Sequence, residues 1–314
     1  RVTRRTLSTR LPKHQPGDGK ANHHRSKGKV MLSNQIIEEV VQRALNEDAP
    51  WGDVTSEHLI PANATATAEL SAREAGVFSG ADVFAAAFLL TDPSLDVQLF
   101  LEDGDSFVAG QELGVVTGSA RSVLTAERIG LNFVQRMSGI ATLTAKYVEA
   151  VAGTKARIVD TRKTTPGLRA FERHAVVSGG GRNHRFSLSD AVMAKDNHLA
   201  ILTAGGKDLT TELRRVKNEL PHTMKLEVEV DRLDQIQPVL AAGVDIIMLD
   251  NFNLDDLRAG VALIDGKAIV EASGGVNLDT VAAIAATGVD VISVGALTHS
   301  ARALDLGLDV QIAY

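Results

Sequence analysis

Four short strings carry the chemistry in this chain: Asp160-Thr161-Arg162-Lys163-Thr164-Thr165-Pro166-Gly167, Gly179-Gly180-Gly181, Asn183-His184-Arg185 and Lys195-Asp196-Asn197-His198. The window 157–198 that contains them holds eight Lys/Arg and three His against four Asp/Glu. Planar guanidinium groups grip carboxylates and phosphates in bidentate fashion, and Lys adds a point charge. Arg162, Lys163, His184 and Arg185 fall in loop-like segments flanking strands, so the window reads as a trap for a small anion. For Arg169 and Arg173 the expectation is a solvated helix face, and His184 has a plain alternative as a structural hydrogen-bonder. His residues at zinc-ligand spacing are not evident. The chain has no Cys, which excludes thiol nucleophiles, disulfides and thiolate metal sites.

A second set of residues is acidic or glycine-rich. In Lys225-Leu226-Glu227-Val228-Glu229-Val230 the period of two puts Lys225, Glu227 and Glu229 on one strand face and three apolar residues on the other. If the apolar face meets covering helices, the charged face points inward. Asp250 ends the next apolar run and is free for a site, because Asn253 with Asp256 three residues on is the better helix cap. Paired carboxylates of this kind suit Mg²⁺ or substrate hydroxyls. Ser273-Gly274-Gly275, with Asn277 expected to open a helix, reads as a phosphate cradle of backbone N–H groups, and Gly295-Ala296 follows the next run.

Residues 1–30 carry nine Lys/Arg and one acid, while the 314-residue chain has a net charge of −6. With those 30 residues and the basic window set aside, the remainder is strongly acidic. An acidic body with one basic island points to a small, multiply anionic ligand. Nucleic acid is disfavoured by an aromatic content of only 4%. No apolar run approaches the roughly 20 residues that span a bilayer. Residues 1–30 read as a solvated, disordered basic tail without the apolar region of a secretory signal, and a non-native or over-extended N-terminus is preferred to an Arg-rich transit peptide. The cytoplasm is the expected location, consistent with the lack of Cys.

The elements that must position these residues fall into two patterns. Over 31–140 the pattern is mixed: a helix capped at Ser33, strand-like alternation at 65–71 and 95–101, an alanine-rich helix near 81–90, and a long helical stretch over 121–150. From 155 onward apolar runs near 157–160, 191–195, 225–230, 244–249, 268–272 and 289–294 alternate with amphipathic stretches at 207–219, 232–242, 254–264 and 277–287. That rhythm signals parallel βα units. Each run ends, at its C-terminal side, in chemically active residues: Arg162-Lys163, Lys195, Glu229, Asp250, Ser273 to Gly275, then Gly295. In a barrel such ends converge on one mouth, so a barrel is favoured over an open sheet. The expected domains are 31–140, a barrel over 141–296, and a segment 297–314 packing back on the first domain.

Read together with Glu227-Val228-Glu229, Leu249-Asp250-Asn251 and Glu271-Ala272-Ser273-Gly274-Gly275, these strings resemble the quinolinate phosphoribosyltransferase family over residues 33–312. The resemblance implies an N-terminal α+β sandwich packed on an incomplete, six- or seven-stranded α/β barrel. It implies transfer of phosphoribosyl from phosphoribosyl pyrophosphate to quinolinate, with decarboxylation, in NAD biosynthesis. By the same resemblance Arg162, His184, Arg185 and Lys195 bind quinolinate, and Arg128 reaches a site across the interface of a homodimer or higher homo-oligomer. Lys163, Glu229 and Asp250 lie near ribose, pyrophosphate and Mg²⁺, with Glu229 and Asp250 as the metal residues. Ser273, Gly274, Gly275, Gly295 and His299 bind phosphate.

Three other readings compete. A sister phosphoribosyltransferase with another acceptor differs by only a few contacts. A phosphosugar aldolase is disfavoured because Lys163 and Lys195 sit among other cations. A biotinyl or lipoyl carrier, suggested by Asp103-Gly104-Asp105, fails because no Lys lies between Lys29 and Lys146.

Overall fold

The computed structural model describes residues 32–313. The tail expected over 1–30 lies outside the described residues.

Helix α1 (Asn34–Asp48) starts at Ser33, whose hydroxyl accepts the Ile36 N–H, and it buries Ile37, Val41 and Leu45 at helical spacing. Asp53 caps α2 (Val54–Leu59). Strands β1 (Thr65–Ala72), β2 (Gly76–Val77), β3 (Asp96–Leu99), β4 (Ser106–Phe107) and β5 (Glu112–Ser119) follow, with α3 (Ala81–Thr91) between β2 and β3. Burial alternates along much of β1, the sign of a sheet with one covered face. Helix α3 buries Val83, Phe84, Ala87 and Phe88 and packs on α1 and α4. Helix α4 (Ala120–Ala150) also contacts α5 of the second layer, so the boundary expected at 140 falls inside a continuous helix.

The second layer is built from β6 (Arg157–Val159), α5 (Arg169–Ser178), β7 (Val192–Ala194), α6 (Asp196–Leu202), α7 (Leu209–Glu219), β8 (Leu226–Val230), α8 (Ile236–Ala241), β9 (Ile246–Asp250), α9 (Leu254–Ile264), β10 (Ile269–Ser273), α10 (Val281–Ala285), β11 (Val291–Ser293) and α11 (Ala296–His299). Its strands are parallel in the order β6-β11-β10-β9-β8-β7, with β6 and β7 unpaired to each other, so the barrel is incomplete. The chain then returns as β12 (Leu306–Ala313), which pairs antiparallel with β1 to give the sheet β12-β1-β5-β3.

Parity in the parallel sheet decides what faces inward. Glu229 lies opposite Met248, Met248 opposite Glu271, and Asp250 opposite Ser273. Registered partners in neighbouring parallel strands share a face, and i, i+2 residues share it too. Glu227, Glu229, Met248, Asp250, Glu271 and Ser273 therefore point the same way, while Leu226, Val228 and Val230 join the outer core.

One helix differs from expectation. Asn277 does cap, accepting the Asp279 and Thr280 N–H groups at 2.9 and 3.0 Å, but regular α-helix begins only at Val281 and lasts five residues. The side-chain bonds hold 278–280 in a turn, so little helix dipole reaches the Ser273 to Gly275 segment.

Candidate active site

A cleft of about 740 Å³ opens at the C-terminal ends of the parallel strands. Twelve expected site residues line it: Arg162, Lys163, His184, Arg185, Lys195, Glu229, Asp250, Ser273, Gly274, Gly275, Gly295 and His299. Arg128 does not line it; it is exposed on α4.

One wall is organised by Asp160 at the end of β6, which is fully buried. Its carboxylate accepts the His184 N–H at 2.7 Å, the Asn183 amide at 2.6 Å and the Arg173 guanidinium at 3.2 Å. Burial pushes the Asp160 carboxyl up, against the pull of Arg173 and these donors. Arg173 is only 7% exposed, which corrects the expectation of a solvated helix face. The reason is local: Arg173 sits on α5 directly opposite a buried carboxylate that needs a counter-charge. Arg169 is likewise tied down, donating to the Thr164 hydroxyl at 2.9 Å and the Phe186 carbonyl at 3.0 Å.

The loop held by Asp160 presents Arg185, which donates to the Ala191 carbonyl at 3.0 Å and lies 3.7 Å from the Met193 sulfur. Both partners are neutral, so its charge remains available. Burial and the Arg162 charge push the Arg185 guanidinium down. The Arg162 Nε is buried with no hydrogen-bond partner among the described residues. Two neighbouring guanidinium groups in this condition form a site for an anion.

His184 lies beneath them, with Nε2 3.4 Å from Glu227 and 3.3 Å from Glu271. Its Nδ1 accepts the Arg185 N–H at 2.7 Å. Burial alone would push the imidazole down, but the hydrogen bonds and charges of the two glutamates outweigh it and raise it to about 10. Burial also pushes Glu227 up. The Arg185 N–H requires a lone pair on Nδ1, so the ring proton sits on Nε2, and the further proton that the raised imidazole implies is shared with Glu227, whose carboxyl burial pushes up.

On the opposite wall Glu229 pairs with Lys195 through Oε2, and Asp250 accepts the Asn251 amide at 2.7 Å. Asn251 has φ +57° and donates its backbone N–H to the Ser273 carbonyl at 2.9 Å. Gly274, at φ +89°, is required here: a Cβ would stand 2.1 Å from the Asn251 Oδ1. A Cβ on Gly275, by contrast, meets nothing within 4 Å, so that residue borders open space. Glu229 and Asp250 share the inward face of adjacent strands and offer only oxygen donors. That chemistry fits a hard divalent cation such as Mg²⁺.

Lys163 and His299 close the third side. A Cβ on Gly295 would meet both the Lys163 Cδ and the His299 Nε2 at 3.1 Å, which shows how tightly the three pack. The Thr298 hydroxyl donates to the Lys163 carbonyl at 2.7 Å. Arg136 of α4 braces this corner, donating to Glu172 at 2.7 Å and to the Ala301 carbonyl at 2.9 Å, while Glu172 also accepts the Thr165 N–H at 3.1 Å.

Sequence reasoning left Glu271, Asn251 and the bracing pair Arg136–Glu172 without a site role. Glu271 had a signal: a charge inside an apolar strand, two residues before Ser273 and so on its face. Arg136 had none, since its partners lie 29 residues or more away in sequence.

Comparison with known proteins follows the same two-part division. Residues 53–138 match the family model described as quinolinate phosphoribosyl transferase, N-terminal domain, and residues 140–309 match that of the C-terminal domain. The chain is 44% identical over 281 residues to nicotinate-nucleotide pyrophosphorylase [carboxylating] of Mycobacterium leprae, covering 87% of this chain and 96% of that protein. A probable nicotinate-nucleotide pyrophosphorylase [carboxylating] of Bacillus subtilis is 38% identical over 282 residues, covering 90% and 96%. The crystal structure of NadC from Streptococcus pyogenes superimposes with a TM-score of 0.85 at 39% identity, covering 90% of this chain and 99% of that one.

Proposed function

The chain belongs to the quinolinate phosphoribosyltransferase family, and from that premise and the chemistry of the cleft we infer that it transfers phosphoribosyl from phosphoribosyl pyrophosphate to quinolinate, yielding nicotinate mononucleotide, pyrophosphate and CO₂ in NAD biosynthesis. The observation that carries this is the division of one cleft into two chemistries. Arg162 and Arg185 offer charge without an ion-pair partner among the described residues on one wall. Glu229, Asp250 and the Gly274-Gly275 turn face them from the other.

Quinolinate brings two carboxylates, and phosphoribosyl pyrophosphate brings three phosphate groups. Mutually repelling anions meet only where cations are already arranged to receive them. Arg162 and Arg185 take the acceptor carboxylates, Lys195 closes the pocket from the Glu229 side, and His184 forms its floor. Backbone N–H groups around Ser273 to Gly275, together with Gly295 and His299, take phosphate. Lys163 stands between the two walls, placed to offset charge on the departing pyrophosphate. Mg²⁺, held by Glu229 and Asp250 directly or through substrate and water, would supply further neutralisation of the pyrophosphate. The same carboxylates favour positive charge developing at the ribose C1. Once its nitrogen is ribosylated, the pyridinium ring takes up the electron pair released when the C2 carboxylate leaves as CO₂, and C2 then gains a proton. No organic cofactor enters the scheme.

Arg128 belongs to this reading as a residue donated to a neighbouring subunit of a homodimer or higher homo-oligomer, which suits its exposed place on α4 away from its own cleft. A cytoplasmic location is part of the same proposal. The test is CO₂ release from carboxyl-labelled quinolinate, with and without phosphoribosyl pyrophosphate and Mg²⁺. Release that needs both is expected. Turnover of nicotinate in place of quinolinate would instead support the sister-enzyme reading.

A further inference from the structure

Beneath the acceptor wall lie two carboxylates that the reaction scheme leaves unused. Glu227 of β8 and Glu271 of β10 come from strands separated by β9 and are 1% and 2% exposed. Both turn an Oε2 toward the same His184 nitrogen. Each leaves its Oε1 buried without a hydrogen-bond partner among the described residues. Two buried carboxylates sharing one imidazole form a poor stabilising device, since apolar residues of similar volume would fill such a floor at less desolvation cost. What the arrangement does provide is a fixed direction for the ring. With Nε2 drawn down between the glutamates, Nδ1 is turned toward the Arg185 N–H at 2.7 Å. The guanidinium of the same Arg185 has only the Ala191 carbonyl and the Met193 sulfur to hold it. Its backbone anchor therefore sets where its charge stands.

We propose that Glu227 and Glu271 are positioning residues for acceptor recognition, acting through His184 to hold Arg185 where it meets a carboxylate of the pyridine substrate. Glu227 lies outside the cleft lining and Glu271 borders it with its Oε2 turned to His184, and neither is offered as a contact of the substrate, because a carboxylate repels an anion. This proposal rests on the acceptor reading above. It separates the cleft functionally, because the donor wall of Asp250, Asn251 and Gly274 makes no use of His184.

The experiment is a double-mutant cycle on steady-state kinetics of the full chain with Mg²⁺. Glu271→Gln and Glu227→Gln should each raise the KM for quinolinate at least about tenfold, with the KM for phosphoribosyl pyrophosphate held within about twofold. Combined with Arg185→Ala, neither should add to the loss that Arg185→Ala produces alone, because both routes end at the same contact. Parallel rises in both KM values, or losses that multiply with Arg185→Ala, would overturn the proposal. Should a glutamine variant fail to fold, Glu271→Asp, which withdraws the carboxylate from His184 by one methylene, is read in the same cycle. A wild-type protein that uses nicotinate rather than quinolinate would sink the acceptor reading, and the cycle read on the nicotinate KM would still decide the role of the pair.

Discussion

Arg162 shows how a single side chain acquires a role from what it lacks. Its Nε is buried without a hydrogen-bond partner among the described residues, and burying an unpaired polar group costs about 1–3 kcal/mol, more for a charged one. Binding of an anion there would relieve that strain, so that energy lost in the free protein would reappear as affinity. Arg162→Ala should weaken quinolinate binding by about 2–5 kcal/mol, the range for truncating one partner of a buried charge pair, while binding of phosphoribosyl pyrophosphate changes little. Calorimetric titration with each ligand separately checks this. Equal losses for both would remove Arg162 from the acceptor wall. Gly274 is the opposite case, a residue whose value is the atom it omits: the Asn251 Oδ1 occupies the place of its Cβ.

At the scale of elements, the strand β6 and helix α5 form a bracket around Asp160. The carboxylate gathers Asn183, His184 and Arg173, and in doing so aims the loop that carries Arg185. Arg173→Leu leaves that buried carboxylate without its counter-charge and should destabilise the protein by about 3–5 kcal/mol. Combining it with Asp160→Asn should recover part of the loss, because the amide needs no counter-ion. Denaturant unfolding of the single and double variants measures both effects. A single variant as stable as the parent would show the bracket to be dispensable. On the far side, the Arg136–Glu172 pair links α4 to the Lys163 loop and to the segment after α11, so a helix of the first layer sets the geometry of a loop in the second.

For the whole molecule, the decisive arrangement is the return of the chain from the barrel to β1. Strand β12 completes the first sheet as its edge, which ties the last residues described to the domain that begins the fold. The Glu74–Arg302 ion pair lies beside this junction, and the Asp305 N–H, donated to Glu74 at 2.9 Å, reinforces it. Within one chain Arg128 faces solvent, so its proposed service to a neighbouring cleft is a property of an assembly. Arg128→Ala and Lys163→Ala, each nearly inactive alone, should regain activity when mixed and allowed to exchange subunits, up to about a quarter of the parent value for a dimer with random pairing, since one cleft in such a hybrid lacks both substitutions. Activity measured against mixing time checks it. No recovery, with subunit exchange verified, would return Arg128 to an ordinary surface role.

Much of this was legible in sequence because it depends on local periodicity. The six parallel strands, the inward face of Glu227 and Glu229, the caps at Ser33 and Asn253, and the polar strand ends that gather at one cleft all follow from spacings of two and of three to four residues. The family resemblance added the order in which those ends are used. Tertiary structure alone decided the pairings made across long loops: Arg173 with Asp160, Arg136 with Glu172, and Glu227 with Glu271 through His184. It also decided that the gap in the incomplete barrel falls between β6 and β7, and that the turn before α10 leaves Gly274 and Gly275 with little helix behind them. A charge on a periodic face announces its direction in sequence, but whether it is solvated, paired or left waiting depends on what the fold brings opposite to it. That opposing partner has no fixed sequence distance.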